Sequence, residues 1–128
     1  MKVLLDTHVF LWLNLAQEKL TPEIRDICEE STNDLFISIA SFWEIQIKLQ
    51  LGKLHLNIPW QQMWKVQRQD NGLTLLPIGL EHISALEKLP FIHHDPFDRI
   101  LIAQAVHEEI IILSADSVFN RYPIKVIC

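Results

Sequence analysis

The chain has 128 residues, of which 49% are hydrophobic and 21% charged, so it can bury the core of one domain and lacks the composition of a disordered protein. Its net charge of −5 argues against a broad basic face that grips nucleic acid, although clustered acids at a nuclease site would also lower the total. Cys28 and Cys128 give neither a disulfide framework nor a CxxC metal motif, so we expect one cytoplasmic domain over residues 1–128.

Strand and helix signals alternate along the chain. Short apolar runs such as Ile110–Leu113 are typical of buried strands, and apolar residues three or four apart predict helices. Thr21-Pro22 and Asp95-Pro96 are helix starts, because each joins a capping side chain to a proline at the first helical position. In chain order, the predicted elements are strand Lys2–Leu5, helix His8–Leu15, helix Pro22–Ser31, strand Leu35–Ser38, helix Ser41–Leu51, helix Pro59–Gln69, strand Leu73–Ile78, helix Leu80–Lys88, helix Pro96–Glu108, strand Ile110–Leu113, a turn or helix Asp116–Asn120 and strand Ile124–Cys128.

This alternation favours an α/β fold with a mainly parallel sheet that is covered on both faces. In such a sheet, successive strands end at one edge, and ligand sites form there. Asp6 ends the first strand, and Asp116 follows the strand Ile110–Leu113 after a short gap, so these two acids can meet. Glu44 and Asp98 lie in the first turns of two helices, and both can point back toward the same edge.

Carboxylates that converge beside an apolar core repel one another unless a cation neutralises them. We therefore predict a divalent-metal site formed by Asp6, Glu44, Asp98 and Asp116. Asp95 lies close to this set in the sequence, but its place before Pro96 is that of a helix cap.

The segments LLDTHVFLW, SIASFWEIQIKLQLGKL, HHDPFDRILIAQA and LSADSVF carry a family resemblance. In that order they resemble the PIN domain, and specifically the VapC-type toxins of bacterial toxin–antitoxin pairs. The resemblance extends from Lys2 to Ile127, and DPFDRILIAQA is its most specific part.

The resemblance implies a three-layer α/β/α sandwich and RNA cleavage that depends on Mg²⁺ or Mn²⁺. It places the catalytic, metal-binding acids at Asp6, Glu44 and Asp98, with Asp116 as a less constant fourth member. It also implies a cognate antitoxin that blocks the site, and frequently a homodimer. The expected reaction is hydrolysis of RNA phosphodiester bonds by an endoribonuclease toxin.

Each acid also has a structural explanation of its own. Asp6 could cap the following helix, Asp98 could stabilise the helix dipole, and Asp116 could begin a turn. Glu44 would complete a capping box with Ser41. These explanations account for the acids one at a time, but not for all four in the family's order.

Two basic residues, Lys48 and Arg99, could contact the substrate phosphate. Ion pairs along their helices explain them equally well, because Lys48 follows Glu44 by four residues and Arg99 follows Asp95 by four.

The main alternative is a non-catalytic interaction module that binds a partner through an exposed Trp60 and Trp64 stripe, while Trp12 and Trp43 pack in the core. A metal-dependent phosphatase is a third possibility, but no Asp-x-Asp motif follows the first strand. The adjacent His93 and His94 do not have the spacing of a zinc site, so we interpret them as part of a loop before a helix.

Overall fold

The computed structural model describes residues 1–128 and contains one five-stranded sheet in the order β3-β2-β1-β4-β5. All neighbouring strands pair in parallel, as the sequence predicted. The strands are β1 (Lys2–Leu5), β2 (Asp34–Ser38), β3 (Thr74–Leu76), β4 (Ile111–Leu113) and β5 (Val126–Ile127).

Six α-helices connect and cover these strands. They are α1 (Thr7–Leu15), α2 (Pro22–Glu29), α3 (Ile39–Gln50), α4 (Trp60–Asn71), α5 (Leu80–Ala85) and α6 (Pro96–Glu108). Short 3₁₀ turns lie at Gln17–Lys19, Leu86–Lys88 and Ser117–Arg121. None of the helices combines the length and the apolar composition needed to cross a bilayer.

The sheet separates two apolar cores. Alternate residues of β1 face opposite sides, so Val3 and Leu5 pack with α1, α2 and α4, whereas Leu4 packs with α6. Both faces of the central strand are therefore buried, which parallel sheets require. The helices on the two faces make the three-layer α/β/α sandwich that the family resemblance implied.

The start of α3 differs from the prediction. The helix begins at Ile39 directly after β2, and Ser38 caps it by accepting a hydrogen bond from the Ala40 N–H at 3.0 Å. Ser41 is thus inside the helix, and the capping box of Ser41 and Glu44 does not form. The strand leads into the helix without a loop, which placed the cap three residues earlier than the sequence pattern suggested.

The tryptophans also differ from the prediction. Trp60 and Trp64 are half-buried and pack on Phe42, with ring centroids 5.0 and 5.8 Å away. Trp43 is instead the exposed member, with 60% of its surface accessible. Trp60 and Trp64 therefore belong to the border of a core and do not form an exposed stripe.

Candidate active site

The strand order creates a natural crevice beside β1. The strands β2 and β3 follow one another on one side of β1, and the chain then crosses β1 to form β4 and β5 on its other side. Parallel sheets bind ligands at the carboxyl ends of strands where the order reverses in this way. Asp6 lies at that point, and its N–H donates to the Leu113 carbonyl at 3.0 Å, which extends the pairing of β1 with β4.

Asp6 is fixed by short contacts at both carboxylate oxygens. One oxygen accepts a hydrogen bond from the Val9 N–H at 2.7 Å, which caps α1, and the other accepts from the Ser114 hydroxyl. The residue is only 4% exposed and forms no ion pair. Burial raises the pKa of Asp6 above its ordinary value, and the charge of Asp116 adds to this rise.

Glu44 projects from α3 toward the same edge and is 4% exposed. Its Oε1 accepts a hydrogen bond from the Thr7 hydroxyl at 2.7 Å, and its Oε2 lies 2.6 Å from Lys48 Nζ. Thr7 Oγ1 also lies 3.0 Å from the hydroxyl oxygen of Ser41. Since Thr7 directly follows Asp6, this contact joins α3 to the end of β1.

Asp98 lies in the first turn of α6, half-buried, with its Oδ2 3.1 Å from His93 Nε2. Burial, together with the charges of Asp95 and Glu44, raises the pKa of Asp98 to about 6, while the contact with His93 acts in the opposite direction. The charges of Glu44 and Asp98 thus interact across the gap between α3 and α6. Asp95 itself accepts hydrogen bonds from the N–H groups of Phe97 and Asp98 at 2.9 and 3.0 Å, as a helix cap does.

Asp116 is exposed and begins the turn Ser117–Arg121 by accepting a hydrogen bond from the Val118 N–H at 3.0 Å. Its own N–H donates to the Ser114 hydroxyl oxygen at 3.0 Å. Asp6 and Asp116 line one shallow hollow, and the Ser114 hydroxyl contacts both residues.

The two basic residues have different surroundings. Lys48 is partly exposed beside Glu44, as the helical pair predicted. Arg99 does not pair with Asp95; it is 7% exposed and donates to the Pro90 carbonyl and the Tyr122 hydroxyl. Because the Arg99 guanidinium faces inward, it does not present itself to a phosphate at the surface.

The PIN domain family model matches residues 3–125. The chain belongs to the PIN domain family. Among curated proteins, none matches the sequence.

Solved structures share the fold of this PIN domain at low sequence identity. A chain of VapBC2 from Rickettsia felis, crystallised with a DNA fragment from its promoter, has a TM-score of 0.75 and 13% identity over 99% of this chain and 98% of that one. A chain of DNA-bound VapBC from Salmonella typhimurium has a TM-score of 0.69 and 17% identity over 99% and 97%. For FitAcB from Neisseria gonorrhoeae the TM-score is 0.63 and the identity 14%, over 98% and 96%.

The acids of this PIN domain offer carboxylate oxygens, with serine and threonine hydroxyls beside them. An all-oxygen donor set fits hard divalent cations such as Mg²⁺ and Mn²⁺ and does not favour zinc. The set is open: no three of the four acids bring carboxylate oxygens within 4.8 Å of one another. Each carboxylate has contacts of its own: Asp6 accepts from the Val9 N–H, Glu44 contacts Lys48, and Asp98 contacts His93.

A tighter group lies elsewhere in the PIN domain, between α5 and α6. Glu81, His82, His107 and Glu108 place one ligand atom each within 4.8 Å of the others, which is close enough to hold an ion. His82 Nδ1, however, accepts a hydrogen bond from the Gly79 N–H, so its neutral ring carries the hydrogen on Nε2, 2.9 Å from Glu108. An ion at Nε2 would break this arrangement, and we therefore interpret the group as a connection between the helices.

Several polar residues at the site were missed by the sequence reasoning. Thr7 and Ser114 hold Glu44 and Asp6, and His93 and Tyr122 lie behind Asp98. The position of Thr7 directly after Asp6 could have indicated its role. Nothing in the sequence spacing indicates that Tyr122 contacts His93, because the two belong to separate loops 29 residues apart.

Proposed function

We propose that this PIN domain is a metal-dependent endoribonuclease and the VapC-type toxin of a toxin–antitoxin pair. The observation that carries the proposal is the burial of two carboxylates, Asp6 and Glu44, at the strand-order reversal of the sheet. A buried Asp6 without an ion-pair partner is costly for the fold, and a cation would offset that cost.

In this proposal Asp6, Glu44 and Asp98 hold Mg²⁺ or Mn²⁺, and Asp116 assists from the exposed side of the hollow. When bound, the ion supplies positive charge that activates water and stabilises the charge developing on the phosphate. Thr7 and Ser114 keep the Glu44 and Asp6 carboxylates oriented toward the crevice. All four acids would be catalytic as well as metal-binding.

Lys48 is the basic residue best placed to contact an RNA phosphate. Its ammonium group is partly exposed and lies 2.6 Å from Glu44, so it borders the acids without being buried among them. A cation there would reduce the repulsion between the acidic site and the RNA backbone. Arg99 has no such access, because it is buried.

A protein partner is the second part of the proposal. The structures with the same fold come from VapBC and FitAcB complexes, which supports a cognate antitoxin for this chain. Exposed apolar surface supports it too: Trp43 lies edge-on to Phe97, with Ile78 and Ile83 around the same hollow. A homodimer is proposed as well, and the two free cysteines suit a cytoplasmic location.

An RNA cleavage assay tests the enzymatic part. We expect the purified chain to cut total cellular RNA with Mg²⁺ or Mn²⁺ and to stop when EDTA removes the metal. Asp6→Asn keeps an oxygen for capping α1 but lacks the charge, so it should fold and lose at least about 100-fold in rate. Cleavage that persists in EDTA, or in folded Asp6→Asn, would contradict the proposal.

Growth in cells separates the enzyme from the alternative, a non-catalytic interaction module. The wild-type chain expressed alone should arrest growth, and the gene beside it should encode a small antitoxin that relieves the arrest. Asp6→Asn should not arrest growth but should still bind the antitoxin, because Asp6 is only 4% exposed and the substitution leaves the apolar surface around Trp43 intact. Undiminished arrest by Asp6→Asn would favour the interaction module.

A further inference from the structure

Behind Asp98, four side chains form a continuous hydrogen-bonded series. Arg99 Nη1 lies 3.1 Å from the Tyr122 hydroxyl, Tyr122 lies 2.6 Å from His93 Nδ1, and His93 Nε2 lies 3.1 Å from Asp98 Oδ2. We call these four residues the Arg99–Asp98 relay. It joins the start of α6 to two separate loops.

The hydrogen positions in the relay follow from counting donors and acceptors. The Tyr122 oxygen has three partners. Two of them, the Arg99 guanidinium and the backbone N–H of His93, can only donate. The hydroxyl hydrogen of Tyr122 therefore points to the remaining partner, His93 Nδ1. With Nδ1 as acceptor, the neutral imidazole carries its hydrogen on Nε2 and donates it to Asp98.

Arg99 is held firmly in place at one end of this series. It is 7% exposed, a second bond joins Nη1 to the Pro90 carbonyl at 2.9 Å, and its guanidinium lies 4.3 Å from the Phe91 ring centroid. A guanidinium cannot accept a hydrogen bond and does not lose its charge near neutral pH. The direction of donation, from Arg99 toward Asp98, is thus set by a group that cannot reverse it.

We propose that His93 is a positioning residue that fixes which oxygen of Asp98 faces the ion, and that Arg99 and Tyr122 fix the tautomer of His93. His93 occupies Oδ2, which leaves Oδ1 free for the cation. Residues that hold a metal-binding carboxylate from behind typically change metal affinity by about 10–100-fold when removed. This role rests on the proposed metal site, whereas the tautomer of His93 does not.

The first experiment reads the tautomer directly in the full chain without metal. Nitrogen-15 NMR of the imidazole distinguishes a hydrogen on Nε2 from one on Nδ1, and we expect the Nε2–H form for His93. In Asp98→Ala, which has no carboxylate to accept from Nε2–H, the Tyr122 hydroxyl alone should keep this form, and adding Tyr122→Phe should abolish the preference while the protein stays folded. An Nδ1–H form in the wild type, or an unchanged pattern when Tyr122→Phe is added to Asp98→Ala, would overturn the relay.

The second experiment measures Mn²⁺ affinity by electron paramagnetic resonance. We expect His93→Ala to weaken Mn²⁺ binding by about 10–100-fold. His93→Gln should recover most of it, since its amide can donate from nearly the same place as Nε2. His94→Ala is the matched control, because His94 is exposed and has no hydrogen bond to an acid; it should bind Mn²⁺ like the wild type.

The outcomes separate the two proposals. Mn²⁺ binding that is weakened in Asp98→Asn but unchanged in His93→Ala would overturn the positioning role and leave the metal site standing. A wild-type chain that binds no Mn²⁺ would overturn the proposed metal site and the positioning role together. Equal losses of Mn²⁺ affinity in His93→Ala and His93→Gln would overturn the positioning role, because a hydrogen bond to Asp98 would then not be the reason for the loss.

Discussion

At the scale of single residues, a substitution at Glu44 can show whether its carboxylate has a structural role or holds an ion. Glu44→Gln retains an oxygen for the Thr7 hydroxyl but loses the charge, so we expect a folded protein whose RNA cleavage is slower by at least about 100-fold. The stability of the variant is measured by urea unfolding and its rate by RNA cleavage.

The matched control for Glu44 is Ser38→Ala, which removes the observed cap of α3 and leaves the acids in place. It should lower the free energy of unfolding by about 0.5–2 kcal/mol and keep its activity per folded molecule. If Glu44→Gln were unstable and active while Ser38→Ala were inactive, Glu44 would have only a structural role.

Asp98 should make stability depend on pH. Its pKa is about 6 when folded against an ordinary value of 3.8, so the folded state favours the protonated form. The free energy of unfolding of the metal-free protein therefore falls as pH rises from about 4 to 6 and then levels off. Asp98→Asn lacks this ionisation, and its stability relative to the wild type should rise over the same interval.

Urea unfolding in EDTA at several pH values measures this difference between Asp98→Asn and wild type. Excess Mg²⁺ should restore wild-type stability mainly above pH 6, where Asp98 is ionised and can bind the ion. A stability difference that did not change with pH would show that burial does not perturb Asp98.

The sequence indicated the acids at this scale but not their supporting residues. Asp6, Glu44 and Asp98 could be found because each stands near the start of a predicted helix, beside an apolar run. The contact of Ser114 with Asp6 joins residues 108 positions apart, and no local pattern carries that information. The metal-binding roles of the acids stay predictions until the metal is measured.

At the scale of elements, the end of α6 carries an unusual residue. Glu109 adopts the left-handed conformation, with φ of 56° and ψ of 48°, and its N–H donates to the Ala105 carbonyl. Side chains with a Cβ disfavour this conformation, so Glu109→Gly should raise the free energy of unfolding by about 1 kcal/mol. Urea unfolding measures the gain.

Glu109→Ala is the control for that gain, since it removes the same exposed side chain but keeps the Cβ. It should not stabilise the protein. Equal stabilisation by alanine and glycine would mean that the charge of Glu109, and not its backbone conformation, is unfavourable at the end of α6.

Local signals explain why some elements were predicted well. The start of α6 was predicted correctly because Asp95 and Pro96 begin it, and their capping chemistry is local. The outer strands β3 and β5 are shorter than predicted, since pairing with a neighbour decides where a strand ends. The early start of α3 was not predicted, because no local signal shows that β2 leads into the helix without a loop.

At the scale of the whole molecule, the two apolar cores share one sheet, with Leu4 on one face and Val3 and Leu5 on the other. Neither core can remain packed if β1 separates from its neighbours. We therefore predict a single domain over residues 1–128 that unfolds in one cooperative transition.

Two probes test this prediction on the two faces of the sheet. Hydrogen exchange of α1 amides reports on one face, and hydrogen exchange of α6 amides reports on the other. Both should give the same free energy of global unfolding. A lower value on one face would indicate two units that open separately.

The pairing of β1 with β4 sets the time at which the site can exist during synthesis. Asp6 leaves the ribosome early, but the strand beside it and Ser114 are made more than a hundred residues later. Until they emerge, β1 lacks one of its two neighbours and Asp6 lacks its hydroxyl partner. If the chain is the ribonuclease proposed above, a nascent chain would therefore be unable to cut the RNA that surrounds it on the ribosome, and an antitoxin would have that interval in which to be made.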